Sequence, residues 1–316
     1  MGWDATALPD AHGRTVVVTG ANAGVGYFTA EQLAGAGAHV VLACRDPERA
    51  EAAVSAIRRR VRGASVEGLP LDVTDRRSID AAADALLARD RVDALVLNAG
   101  IVHPPRTRQT DEYGNELVLS TNVLGHFRLV ARALPALAGA SGASGAPGAP
   151  SARIVTLGSL ASRLGRLRLD DLQLERGYTS WRAYSGSKIA AQVFGFELDR
   201  RLRAAGSDVA SVVVHPGYST SGRTPGIRGV NHPSRVKRFA DNLQAAWTQG
   251  KDAGAHVPVR AVLDPSVSGG DYLGPALRTK GAPVHAAATR ASRSPRQGAR
   301  LWPRLEAAAG QPFPLP

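Results

Sequence analysis

The chain has 316 residues, 44% hydrophobic, 21% charged and only 5% aromatic; that length accommodates one large α/β domain or two small ones, with a core resting on Ala, Val and Leu. A lone cysteine, Cys44, excludes a disulfide framework and fits a reducing cytoplasm, no run approaches the roughly 18 uncharged apolar residues that span a bilayer, and the opening "MGWDATALPDAHGR" lacks the pattern of a signal peptide. The net charge of +12 would suit nucleic acid, anionic lipid or a phosphorylated cofactor, but no helix-turn-helix, metal-ligand spacing or RNA-binding aromatic motif accompanies it, so neither nucleic acid nor metal is expected.

In chain order, "RTVVVTG" (14–20) reads as a buried strand and "YFTAEQLAGAGA" (27–38) as a helix. "HVVLACR" (39–45) is a second strand and "PERAEAAVSAIRRRV" (47–61) a helix with proline in its first turn. A third strand at 65–73, a helix at 78–90 and a fourth strand at 92–100 continue the alternation. Residues 112–137 contain a long helix after a turn, and 138–152 is an uncharged Gly/Ala/Ser/Pro insertion read as a flexible loop. "RIVTLGS" (153–159) resumes the strand pattern, a helix carries Tyr184 and Lys188 to about Ala204, and 208–217 is a sixth strand. Residues 218–256 form a loop with one helix at 236–247, 268–274 is a last short strand, and the tail from about 275 is weakly specified. The expectation is a single α/β domain over 1–316, a doubly wound, Rossmann-type parallel sheet of about seven strands with helices on both faces.

The first strand ends in "TGANAGVG", which sets Gly20, Gly24 and Gly26 in the spacing G-x3-G-x-G. Glycines there allow a tight turn and let backbone N–H groups approach a pyrophosphate at the helix start. The second strand ends at Arg45 rather than at an acid; a guanidinium suits a 2′-phosphate, so NADP(H) is preferred over NAD(H). Asp72 and Val73 follow the third strand, and Asn98, Ala99 and Gly100 the fourth, all at the carboxyl ends where such sheets bind ligands.

Tyr184 and Lys188 lie four apart, within reach of each other on one helix face. An ammonium and a cationic nicotinamide would favour phenolate and lower the tyrosine pKa, so that Tyr184 could exchange a proton with a carbonyl oxygen or an alcohol. Ser159, at a strand end, is placed to polarise the substrate oxygen. His39 and His126 read as packed residues, His215 as structural, and Cys44 has no neighbour in sequence to activate it. Tyr178 and Trp181 either line a substrate pocket or cover the core edge.

Taken together, Thr19-Gly20-x3-Gly24-x-Gly26, Asp72, Asn98-Ala99-Gly100, Asn122, Ser159, Tyr184-x3-Lys188 and Pro216-Gly217 resemble the short-chain dehydrogenase/reductase family over roughly 14–275. "LACRDPERA", "HPGYST" and the long gap between Ser159 and Tyr184 look like its retinol-dehydrogenase-like reductases and their actinobacterial relatives. The resemblance implies that Tyr184 is the general acid/base, that Lys188 lowers its pKa and holds the nicotinamide ribose, that Ser159 binds the substrate oxygen and that Asn122 holds a relay water. It also implies that Gly20, Asn22, Gly24, Val25, Gly26 and Arg45 bind the adenosine diphosphate half of the cofactor, Asp72 and Val73 the adenine, Asn98 to Gly100 the cofactor body, and Pro216 and Gly217 the nicotinamide. Glycine precedes Ser159 where the family often has serine, Leu97 precedes "NAG" in place of Asn, and Thr220 and Ser221 compete for the nicotinamide carboxamide. Expected further from the residues are a small-molecule carbonyl or alcohol substrate, bulky and apolar and covered by residues 218–256, reduction of a ketone as the direction and a cytoplasmic location, while the resemblance leaves open pairing of copies as a homodimer or homotetramer. The alternative class is a non-catalytic NADP(H)-binding sensor or scaffold, which would not need Asn122, Ser159, Tyr184 and Lys188 together.

Overall fold

Val16, Val17 and Val18 are β-branched and fully buried, which suits a strand packed on both faces. They form β1 (Thr15–Thr19), and their side chains alternate between two cores. Val17 joins Val41 and Leu95 on one side, whereas Val16 and Val18 join Val40 and Leu42 on the other. The computed structural model describes residues 3–138 and 152–315, so the insertion expected at 138–152 lies, apart from its two flanking residues, outside the described residues.

The elements that follow β1 are α1 (Gly24–Gly35), β2 (His39–Cys44), α2 (Pro47–Arg60), β3 (Val66–Pro70), α3 (Arg76–Leu87) and β4 (Ala94–Leu97). Next come α4 (Leu117–Leu119), a π turn (Ser120–Leu124), α5 (Gly125–Ala138), β5 (Ala152–Leu157), a 3-10 turn (Leu160–Arg163), α6 (Ser180–Ala204) and β6 (Val209–Val214). The remainder is β7 (Ser219–Thr220), α7 (Arg235–Asn242), β8 (Gln249–Gly250), α8 (Lys251–Leu263), β9 (Tyr272–Pro275), β10 (Pro283–His285), α9 (Arg290–Arg293) and α10 (Pro295–Ala309). The main sheet runs β10-β9-β6-β5-β4-β1-β2-β3. Seven of its strands are parallel and β10 pairs antiparallel with β9. That is one strand more than the sequence pattern showed, because three residues of a Pro/Ala-rich tail carry no period.

Strand order reverses between β1 and β4, where Val16 pairs with Val40 on one side and with Ala94 on the other. The two flanking connections leave in opposite directions there, and a crevice opens beyond the carboxyl ends. Helices α1 and α8 pack together on one face; α3 packs on α5, and α6 on α10, on the other.

Three segments differ from expectation. The long helix begins at Leu117 because the buried Glu116 accepts from Val118 N (2.9 Å) and Leu119 N (2.8 Å) and caps it there. Helix α8 lies partly within the stretch read as loop. The tail is built into the core: Trp302 lies 5.3 Å from Phe127 and 4.8 Å from Phe313, ring centre to ring centre, and all three are buried. No helix among the described residues is long and apolar enough to cross a membrane.

Candidate active site

The glycine turn joins β1 to α1. Gly20 and Gly24 have φ of +65° and +68°, a region that side chains disfavour. Gly26 is required for a different reason. A Cβ there would lie 2.8 Å from the Gly20 carbonyl oxygen and would collide with Asn98 Nδ2. Asn98 Nδ2 donates to the carbonyls of Thr19 (2.8 Å) and Gly20 (3.3 Å), so Asn98 ties the turn to the end of β4. Thr19 Oγ1 accepts from Asn98 N and Ala99 N, both at 2.9 Å, and lies 3.0 Å from His126 Nε2. Thr19 and His126 are thus the buried hub of the crevice. The sequence pattern placed His126 among packed residues but held no signal of its partner.

The residues present fit a dinucleotide. Helices α2, α3, α6 and α10 are capped by the side chains of Asp46, Asp75, Thr179 and Ser294. Helix α1 has no side-chain cap and no acid in its first turn, so its N–H groups face the crevice open to an anion. Gly100 leaves a cradle: a Cβ there would lie 2.9 Å from Asn122 Oδ1 and 3.7 Å from Lys188 Nζ. Arg45 is largely exposed at the end of β2, its Nε 3.9 Å from Asp72 Oδ2. Asp72 Oδ1 also accepts from Thr74 N (2.9 Å) and Thr74 Oγ1 (2.7 Å). With its amide oxygen facing α2, Asn22 accepts from Arg49 Nε at 3.2 Å, which brings to the turn after β1 a guanidinium that the sequence reading missed.

At the other end, Tyr184 Oη donates to Ser159 Oγ at 3.2 Å. Ser159 is held by its own turn, Oγ accepting from Ala161 N at 3.1 Å. Lys188 Nζ donates to the Leu157 carbonyl at 2.9 Å, and burial pushes its ammonium down to about 8. Burial raises the Tyr184 phenol, with the Ser159 hydroxyl pulling the other way. A lowered phenol was expected from Lys188 and a nicotinamide together; in the protein alone burial raises it. Asn122 sits in the π turn, a device frequent at functional sites. Its Oδ1 accepts from Ile101 N (2.7 Å) and its Nδ2 donates to Ser187 Oγ (2.9 Å), so its side chain fastens the loop after β4 to α6.

Pro216 and Gly217 follow β6; the Pro216 carbonyl accepts from Ser219 Oγ and Gln249 Nε2, each at 2.9 Å. Thr220 is buried beside Asp241, and Ser221 is half-buried. Val73, expected at the adenine, is buried in the core. His215 stacks on Tyr272 and His39 contacts Ser65 and Glu67, while burial drives the Cys44 thiol up to about 11. Tyr178 Oη donates to the Pro105 carbonyl at 3.1 Å. Trp181 lines a cavity of about 510 Å³ with Leu164, Arg166 and Glu116, whose lining includes neither Tyr184 nor Ser159. Among the described residues no His, Cys, Asp or Glu cluster could hold a metal.

Fold and crevice together are those of a dinucleotide-binding α/β oxidoreductase. The short chain dehydrogenase family model matches residues 14–228, and the chain belongs to that family, whose members are NAD(P)-dependent oxidoreductases acting on alcohols and carbonyls. Bovine retinol dehydrogenase 12 is 34% identical over 92% of this chain and 84% of its own. Mouse retinol dehydrogenase 12 is 40% identical over 66% of this chain, and the match spans 62% of that protein. A solved structure of an uncharacterized protein from Mycobacterium paratuberculosis superposes with a TM-score of 0.78 at 33% identity over the full length of both chains. The RhlG/NADP complex of Pseudomonas aeruginosa, at 23% identity and a TM-score of 0.61 over 84% of this chain and 95% of its own, shares the fold.

Proposed function

We propose that the protein is an NADP(H)-dependent carbonyl reductase that converts a bulky apolar ketone to a secondary alcohol. The observation that carries this is the Tyr184–Ser159 pair, two hydroxyls 3.2 Å apart, with the buried Lys188 ammonium bonded to the Leu157 carbonyl on the same strand end. Ser159 binds the ketone oxygen, and Tyr184, held protonated by burial, delivers a proton to it as negative charge develops. Lys188, with one carbonyl partner in a buried position, has donors left for ribose hydroxyls. Asn122 positions α6 and the cradle at Gly100.

Gly20, Asn22, Gly24, Val25 and Gly26 hold the pyrophosphate half; Arg45 and Asp72 flank the adenosine, with Val73 packed in the core beneath; Asn98 to Gly100, Pro216 and Gly217 form the nicotinamide end. The nicotinamide, when bound, supplies the hydride. The apolar substrate is supported by exposed Tyr218, Phe239, Leu243, Trp247 and Leu277. These lie on segments tied together by Tyr218 N to the Thr279 carbonyl (2.7 Å) and Lys280 Nζ to the Ala245 carbonyl (2.9 Å). It is supported also by the retinol dehydrogenases among the relatives.

Fluorescence titration with NADPH and NADH, wild type beside Arg45→Ala, tests the cofactor. NADPH binding more tightly, with the preference lost in Arg45→Ala, is the expected result; equal or tighter NADH binding refutes it. Turnover of a ketone panel, lost in Tyr184→Phe, separates the reductase from a nucleotide-binding sensor.

A further inference from the structure

The charge at the mouth of the glycine turn does not come from the turn. Lys251 is the first residue of α8, far from Gly24 in sequence. A Cβ built on Gly24 would lie 4.0 Å from both Cδ and Nζ of Lys251, so the ammonium stands over the uncapped start of α1. It is fixed there from two sides. Lys251 N donates to Thr224 Oγ1 at 2.8 Å, and Gln32 Nε2, on α1, donates to the Asp252 carbonyl at 2.9 Å.

The side chain is half-buried, yet its ammonium has no hydrogen-bond or ion-pair partner among the described residues. The carboxylate nearest in effect, Asp241, is engaged by Lys237 Nζ at 2.5 Å and by Gly222 N at 2.7 Å. Burial and the charge of Lys237 both disfavour the Lys251 ammonium, and Asp241 favours it. A lysine packed only for its methylenes would extend its charge into solvent. This one keeps Nζ 4.0 Å from the position of a Cβ on Gly24, at the uncapped start of a helix, where a phosphate is the complementary group.

We propose that Lys251 binds the cofactor pyrophosphate, clamping it against the N-terminus of α1 from the helix opposite. The inference rests on the nicotinamide-nucleotide reading above and adds to it a residue that the glycine pattern does not contain. It also gives the segment between β6 and α8 a part in cofactor binding, alongside substrate cover.

The test is titration of wild type, Lys251→Gln, Lys251→Met and Lys251→Arg with NADPH and with adenosine 2′-monophosphate, which has the 2′-phosphate but no pyrophosphate. Loss of the charge is expected to weaken NADPH by about tenfold, the size of one charge-assisted hydrogen bond. Adenosine 2′-monophosphate affinity stays within twofold, which also shows that the variants are folded, and arginine restores most of the NADPH affinity. Two outcomes overturn the assignment: unchanged NADPH affinity in both neutral variants, or equal weakening of the two nucleotides, which marks a general field rather than a contact. A wild type that binds NADPH while the neutral variants match it refutes Lys251 alone. A wild type that binds no nucleotide refutes the cofactor reading, and this one with it.

Discussion

Gly26→Ala probes the construction of the crevice without touching an ionisable group. The added methyl meets Asn98 Nδ2 and lies 2.8 Å from the Gly20 carbonyl oxygen. The Gly20 carbonyl must give by a few tenths of an ångström, and the Asn98 side chain must swing out. Its two hydrogen bonds, to the carbonyls of Thr19 and Gly20, are then lost. At about 1 kcal/mol for each, the cost is about 2 kcal/mol. For a chain of this size about 2 °C in Tm accompanies each kcal/mol, so thermal unfolding should fall by about 4 °C. Nucleotide affinity should fall as well, since the N–H groups of the turn shift. Asn98→Ala removes the same two bonds directly, and the double variant should cost little more than either single one, because both act on one interaction. Scanning calorimetry of the four proteins decides the matter. A Gly26→Ala variant with wild-type Tm, or strictly additive losses in the double variant, would refute the argument.

Tyr184→Phe should lower turnover by about 10²–10⁴-fold while leaving NADPH affinity within a few fold, measured by steady-state kinetics beside fluorescence titration. Burial holds His126 down to about 3 and His215 to about 4. Between those values and the ordinary histidine range the unfolded chain binds more protons, so stability falls as pH drops from about 6.5 toward 4. Urea unfolding of His126→Asn across that window should show a shallower loss than wild type; an identical slope would show that His126 does not contribute. Trp302→Ala should cost about 3–5 kcal/mol, whereas Leu277→Ala, at a residue 68% exposed, should stay within about 0.5 kcal/mol. Equal costs would show that the tail is not part of the core.

The first strands and the turn between them were legible because β-branched runs ending in glycine have few other solutions. Helix α8 was not. Gly250, Gly254 and Pro258 weaken any local signal, and the helix is held instead by burial of Val257, Val259 and Ala261. Helix α10 was hidden in the same way: Pro303 interrupts a stripe of Leu301, Trp302 and Leu305 whose partners lie on α5 and α6. Spacing brought Tyr184 and Lys188 together, but only the packed structure shows that burial raises the phenol and turns Lys188 toward Leu157. No pattern in a linear chain pairs Lys251 with Gly24, or Thr19 with His126, since such contacts exist only once the sheet has closed.

The aromatic cluster imposes an order on synthesis. Phe127 lies on α5 and Phe194 on α6, but the rings that complete their packing are Trp302 and Phe313. While the ribosome is still making the residues between, α5 and α6 present those rings to water, and they can be covered only after residue 313 has emerged. The packing of α6 is therefore finished late, and a nascent chain stalled before α10 exposes the same apolar seam that the fold hides, a surface for chaperones or for aggregation.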